Sequence, residues 1–501
     1  MALVAAGLEF NAITDLQQEI HNTQGNEEII SRFYHHFTKS TWSSSVLTKL
    51  QQTQDSNETI YTVNGSFHYL QYTYMKARTP ALRVKAKYAG LVEIALCHNP
   101  GSNITRSAVF KADDVPYHEW DSVWYDIYYQ FYEEEGAGKR ELHNQGVGNV
   151  ACLQEFSSSI PAYSYNIDQP WFYSYAPELS FPIFYRTSQS RIEHRYTLRK
   201  NAFELVRIRY RTTAQAEMAK RERDKDVPWN YTLGTTDLSQ YIETVGQGSS
   251  KDLPIPELWG RYALVTPSEL TWHKQGECKE DNKAPERPDT IMYFRGVLAH
   301  DATNPVRFKS NESIKLTTAG PTLAAFWLAQ NALAVKNHNL SNYTTNSIDL
   351  LAGWDPIKTT TLRYGTVPCF EDMASDHFNI GVKRHFRSAP SERGYHAFPY
   401  AWNSMSLDGD TAASLGSLDA NLNCRVENTD IFLQEDDDPT SGDGNPDKLF
   451  SPEEVRLAIP ASNDEEQPTF NIKVRLLILR RLTISATKGP DGGQRFDFKV
   501  E

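Results

Sequence analysis

Apolar positions recur along this chain at two different periods. Residues 8–37 carry helical spacing, with Phe10, Ile13, Leu16 and Ile20 on one stripe and Ile29, Ile30 and Phe33 after an acidic start at Glu27 and Glu28. Beyond Thr38 the period shortens. Aromatic and β-branched runs take over at Tyr69, Leu70, Tyr72 and Tyr74 and again over 91–96, bounded by Asn, Gly, Pro and Ser, which predicts a β-rich body behind an N-terminal helical arm.

Two stretches alternate strictly, and each closes one half of the chain. Val206, Ile208 and Tyr210 interleave with Arg207, Arg209 and Arg211; Phe470, Ile472, Val474 and Leu476 interleave with Asn471, Lys473 and Arg475. A period of two sends one set into a core and the other to solvent or an interface. Two β domains of similar size follow, so the expected order is an arm over 1–37, a first domain over 38–212, a linker over 213–255 and a second domain over 256–501. The linker rests on the sign-alternating run 217–226 (EMAKRERDKD), read as a solvated helix or loop, and on the Gly/Ser-rich 246–250. One helix interrupts the first half. Trp120, Val123, Trp124, Ile127, Tyr128 and Phe131 fall at helical spacing and predict an element covering an edge or end of a sandwich. The acidic, Pro- and Gly-containing stretch 435–467 has little to bury and reads as a long exposed loop, as does the polar insertion 277–289.

Composition narrows the function. The 501 residues include 59 aromatics among 40% hydrophobic positions, which is ample for sizeable cores and excludes wholesale disorder. A net charge of -12 argues against a surface that neutralises nucleic-acid phosphates, so no direct nucleic-acid partner is expected. The segment 1–8 lacks the basic region of a secretion signal, and no run approaches the roughly 18 apolar residues of a membrane span. Five cysteines, Cys97, Cys152, Cys278, Cys369 and Cys424, lie scattered without a CxxC pair, which predicts reduced thiols and cytosolic assembly.

Signatures of chemistry are weak. Gly146, Gly148 and Ala151 match a dinucleotide fingerprint, but no apolar strand precedes them. No nucleophile elbow, phosphate loop or zinc helix occurs, and His118–Glu119 lacks a second histidine four residues on. Asp443, Asn445, Asp447 and Glu454 fall in calcium-loop register, yet Lys448 stands where glycine is needed and Pro446 and Pro452 stiffen the segment. Adjacent His35 and His36 point to different faces of a helix rather than to one metal. Seven glycosylation sequons, at Asn57, Asn64, Asn103, Asn230, Asn311, Asn339 and Asn342, are expected by chance in a chain this rich in Asn, Ser and Thr. No catalytic, cofactor-binding or metal-ligating residue is therefore assigned.

Several segments, in order, resemble the major capsid protein of iridoviruses and related nucleocytoplasmic large DNA viruses. They are 258–265 (LWGRYALV), 342–345 (NYTT), 355–362 (DPIKTTTL), 373–378 (MASDHF) and 394–400 (GYHAFPY), with looser agreement at Thr41–Trp42, 69–80, 117–131 and 179–184. Where that family carries D-P-x-G-S-x-N-[FY]-G-x-L, this chain keeps Asp408, Gly416 and Leu418, which marks a divergent member. The resemblance implies an all-β double jelly roll, two eight-stranded antiparallel sandwiches with a helical arm and short helices in loops. It implies a structural role without enzymatic activity or cofactor, as the homotrimer of a pseudo-hexameric capsomer in an icosahedral double-stranded DNA virus shell. The expected partners are neighbouring capsomers and, on the inner face, minor capsid proteins or an internal membrane; the expected location is the virion, after assembly in the host cytoplasm. The arm over 1–37 would then dock the capsomer to its surroundings. A carbohydrate- or receptor-binding sandwich is the alternative, suggested by Trp171, Phe172, Tyr173 and Tyr175, which could stack on sugars.

Overall fold

The computed structural model describes residues 42–500 except 133–145, 147–154, 171–180, 184–190, 222–228, 232–236, 247–250, 271–289, 402–417, 427–468, 489–493 and the short stretches 56, 268–269, 308–309, 319, 348–349, 351–352 and 383–384. The arm over 1–37 with His35 and His36, the insertions 277–289 and 435–467 with the calcium-like loop, Gly148, Ala151, Cys152, Cys278 and the 171–175 aromatics lie outside the described residues.

Two jelly rolls stand side by side. In the first, Tyr69–Thr79 lies between Glu257–Val265 and Tyr163–Asp168, and Trp42–Lys49 forms the edge beyond Glu257–Val265. The facing sheet runs Gln51–Gln54, Thr59–Thr62, Ile192–Leu198, Thr105–Ala112, Val115–Asp121. Between them lies an aromatic core in which Phe110 meets Phe181 at 5.0 Å, Tyr117 at 5.6 Å and His194 at 4.5 Å, while Tyr61 meets Tyr196 at 5.5 Å.

Strand pairing moves the expected boundary at 256. Glu257–Val265 is a first-roll strand, because its inward residues Leu258 and Tyr262 join the core beside Leu50, Tyr69 and Leu70. The stretch read as a linker also folds back on this roll: Asn230–Tyr231 pairs with Val206–Tyr210, and Ile242–Thr244 pairs with Leu82–Val84. Alternation reveals that a strand has a buried face but not which partner covers it, so a strand remote in sequence is easily assigned to the wrong half. The charge run begins as a helix, Thr213–Arg221, as expected.

The second roll pairs Thr290–Ala299, Thr469–Lys488, Thr322–Asn331 and His396–Pro399 in one sheet. Ser310–Thr318, Leu418–Val426, Ile357–Tyr364 and Val367–Ala374 form the other. Phe470, Ile472, Val474 and Leu476 enter its core, as their alternation predicts. The opposite parity divides: Asn471 and Lys473 stay partly exposed, whereas Arg475, Leu477 and Leu479 are buried towards the first roll. Thr322–Asn331 shows no alternation at all, since Ala325, Trp327 and Ala329 fill the second core and Ala324, Phe326 and Leu328 join the first-roll cluster. A strand buried on both faces reads as an unbroken apolar run.

The helix spans Ser122–Phe131, capped by Asp121, whose carboxylate accepts from the Trp124 N–H at 2.9 Å; Trp120 belongs to the preceding strand. It does not cover an edge or end of the sandwich. Trp124 meets Phe326 at 5.7 Å, and Phe131 meets Phe326 at 5.2 Å and Phe386 at 5.1 Å, so its apolar stripe is wedged between the rolls. The first closing strand departs similarly from expectation. Arg207 is buried, and Arg207, Arg209 and Arg211 interleave with the Phe156 and Trp229 rings at 4.0–5.1 Å, fastening residues of the stretch before Asn230 to the roll.

Candidate functional site

The densest polar chemistry lies buried in the seam between the rolls. Asp126, fully buried on the wedged helix, accepts from Asn99 Nδ2 and from Tyr343 Oη, both at 2.8 Å. Burial pushes its carboxyl up to about 6, against the pull of hydrogen bonds from Ser341, Asn99 and Tyr343. His98 Nε2 lies 2.9 Å from a Glu392 carboxylate oxygen, with both side chains withdrawn from solvent, and the His98 N–H donates to Asn339 Oδ1 at 3.2 Å. Asn103 Nδ2 reaches Ser341 Oγ at 2.6 Å and the carbonyls of His98 and Asn99 at 3.0 Å. Ser388 Oγ donates to the Gln130 carbonyl at 2.8 Å, and His338 Nδ1 contacts the Phe203 carbonyl at 3.0 Å.

A second anchor is ionic. Arg475, 2% exposed, reaches back from the second roll to Asp121 and also binds Asp301, which Lys473 contacts at 2.8 Å. Burial works against a guanidinium charge, but the two carboxylates outweigh it and hold the Arg475 pKa above its ordinary value. Asp121 thus performs two tasks, capping the wedged helix and neutralising an arginine from the other roll.

Local backbone explains why these residues stand here. Gly394 has φ +88°, and a Cβ there would sit 2.1 Å from the Tyr343 carbonyl oxygen, so only glycine lets the 394–400 segment approach the 342–345 turn. Tyr343 and Tyr395 then meet edge to face at 5.1 Å. Asn342 Oδ1 accepts from the Thr344 N–H, and His396 is oriented by Asp355 at 2.7 Å on one nitrogen and the Trp327 carbonyl at 3.1 Å on the other. Two of the segments that carried the family resemblance, 342–345 and 394–400, therefore meet at this seam, and Asp355 of a third orients His396.

Of the sequons, Asn103, Asn339 and Asn342 are buried, and Nδ2 of Asn103 and of Asn342 donates to protein acceptors, so the fold withholds these side chains from a glycan. Sequence reasoning missed His98, Asn99, Asp126 and Glu392. The available signal was Asp126 itself, a lone carboxylate on the buried side of an otherwise apolar helix. His118 and His194 are also buried, in the first core, where desolvation lowers each pKa to about 3, assisted by Arg480 for His118 and by His118 for His194. Among the described residues, no three His, Cys, Asp or Glu side chains are grouped to hold a metal ion, and no helix is long and apolar enough to cross a membrane. What the seam can do chemically is fix two bodies: its groups are closed to substrate, and each bond across it joins residues more than 100 apart in sequence.

No family model matches the chain. It is 22% identical over 420 residues to the major capsid protein of Invertebrate iridescent virus 6, covering 79% of this chain and 82% of that protein. It is 21% identical over 434 residues to the major capsid protein of Lymphocystis disease virus 1, covering 81% and 84%. Among solved structures, the PBCV-1 virus capsid superposes with a TM-score of 0.56 at 10% identity over 91% of this chain and 99% of that one. The Faustovirus major capsid protein follows with 0.53 at 7% identity over 89% and 92%. The structural likenesses show the double jelly-roll fold.

Proposed function

We propose that this chain is a major capsid protein whose homotrimer forms a pseudo-hexameric capsomer of an icosahedral double-stranded DNA virus shell. One observation carries the reading: the two rolls are locked into a single block by a buried polar and aromatic seam. Three such blocks around a threefold axis present six similar units, and a hexagonal outline tiles a shell. Trimerisation would also cover sheet edges that a jelly roll leaves open. Neighbouring capsomers are the lateral partners, and minor capsid proteins or an internal membrane the partners of the inner face, reached by the arm. The virion is the proposed location, with assembly in the host cytoplasm; the free thiols of Cys97, Cys369 and Cys424 accord with a reducing compartment. Catalysis and resident cofactors form no part of this reading. For the carbohydrate-binding alternative, Tyr61, Tyr117, Tyr196 and Trp327 are core residues and offer no ring to a sugar.

Electron microscopy of the purified protein tests this. Threefold particles with a six-lobed outline are expected; isolated two-lobed particles at micromolar concentration would overturn it.

A further inference from the structure

The outward face of the first roll's sheet is built the wrong way round for a solvated surface. Along Tyr69–Thr79 the inward positions include polar Gln71 and Thr73, whereas Tyr72 and Tyr74 point outward with Lys76 and Arg78. Register extends this into rows: Leu47, Arg261 and Tyr72 lie side by side, as do Lys49, Trp259 and Tyr74. Leu47 is 49% exposed, Trp259 stacks on Tyr74 at 6.4 Å, and Lys76 stands over Trp259 at 4.6 Å. The face carries four cations, Lys49, Lys76, Arg78 and Arg261, against two carboxylates, Glu257 and Asp168, with Lys49 and Glu257 2.9 Å apart. The second roll offers a contrast, since its outward positions on Ser310–Thr318 and Leu418–Val426, alternating from Asn311 to Thr317 and from Asp419 to Arg425, carry no aromatic residue. Aromatic residues mark interface cores, and faces without them stay solvated.

The complementary surface is the strand Val367–Ala374, at the edge of the second roll's four-stranded sheet. Of its side chains only Phe370 is buried, Val367 is 63% exposed, and Glu371, Asp372 and the following Asp376 give it acidic character, with Arg363 pairing Glu371.

We propose that the aromatic, basic face of the first roll receives the acidic edge strand Val367–Ala374 of a second copy of this chain. The inference rests on the capsomer reading and deepens it by naming the two surfaces. A closed ring of three identical chains needs a heterologous contact, one surface meeting a different one. Charge selects this pairing: the face against itself opposes cations, the edge strand against itself opposes carboxylates, and only the mixed contact joins opposite signs. It also covers the free side of this strand, which among the described residues pairs only with Ile357–Tyr364 and would otherwise invite uncontrolled strand pairing.

The test is charge reversal in the full chain, read by sedimentation. Lys76→Glu with Arg261→Glu, and separately Glu371→Lys with Asp376→Lys, should each weaken trimer dissociation constants at least tenfold, and combining all four should recover most of the loss. Circular dichroism confirms that the variants fold. As a readout independent of charge, Tyr74→Cys should be joined to Cys369 of a neighbouring copy by a short bis-maleimide, giving covalent trimers that Cys369→Ser abolishes. Reversals without effect, losses that add without recovery, or no such crosslink would overturn the named contact while leaving the capsomer reading intact. A wild-type chain that stays monomeric would take both down.

Discussion

The two rolls share a plan and enclose cores of different chemistry. The first is aromatic, with Tyr61, Phe110, Tyr117, Tyr165 and Tyr196 among its members, Phe110 and Tyr196 packing on His194 and Trp120 on His118. The second is mainly aliphatic, with Ile314, Leu316, Leu422, Ile472, Val474 and Leu476 beside one aromatic group in which Trp327 meets Phe378 at 4.9 Å and Phe378 meets Phe370 at 4.8 Å. Alternation alone thus sets the sandwich, whereas the identity of the inward residues sets what each roll is sensitive to. The seam follows a third rule. It arises where outward positions of the second roll stop being polar, so that one strand serves two cores.

The sharpest way to break this arrangement is to orphan its buried charges. Arg475→Ala leaves Asp121 without its cation and Asp301 with Lys473 alone, and should cost about 3–5 kcal/mol with loss of the rigid relation between the rolls. Denaturant melts give the first quantity, small-angle scattering the second. Neighbouring residues on one strand then separate seam from core. Trp327→Ala and Phe326→Ala should each cost about 3–5 kcal/mol by transfer and cavity effects. Trp327→Ala should loosen only the second roll, while Phe326→Ala removes the ring shared with Trp124, Phe131 and Phe386 and should raise hydrogen exchange on both sides.

Acid should act on the first roll before the second. The unfolded chain protonates His118 and His194 near pH 6.5, whereas the folded chain holds them neutral until about pH 3, so stability falls as the pH drops through that window. The slope is at most about 1.4 kcal/mol per pH unit for each histidine. Asp126 opposes it: raised from 3.8 to about 6 in the fold, it adds stability as the pH falls between those values. Urea melts from pH 7 to 4 should therefore show a net loss, reduced in His118→Gln and His194→Gln and steepened in Asp126→Asn. Smallest of all, Lys49→Ala breaks a pair whose side chains are each 44% exposed, and should change stability by under about 1 kcal/mol.

Much of this architecture was legible in sequence. Strict alternation placed Phe470, Ile472, Val474 and Leu476 in a core, and helical spacing placed the element ending at Phe131. Ordered family-like segments pointed to the double roll, which the structure bears out. What escaped was pairing at a distance. Nothing in 257–265 says that its partners are Trp42–Lys49 and Tyr69–Thr79, and nothing in Arg475 names Asp121, 354 residues away. A buried polar bond is specified by two remote residues jointly, so neither alone carries a pattern; Asp126 came nearest, as a charge on an apolar stripe.

Sedimentation equilibrium of the purified full chain at neutral pH and micromolar concentration tests the central claim most directly, that two locked rolls form one block of a threefold capsomer. The account predicts a mass three times 57.0 kDa. A persistent 57.0 kDa species would contradict it.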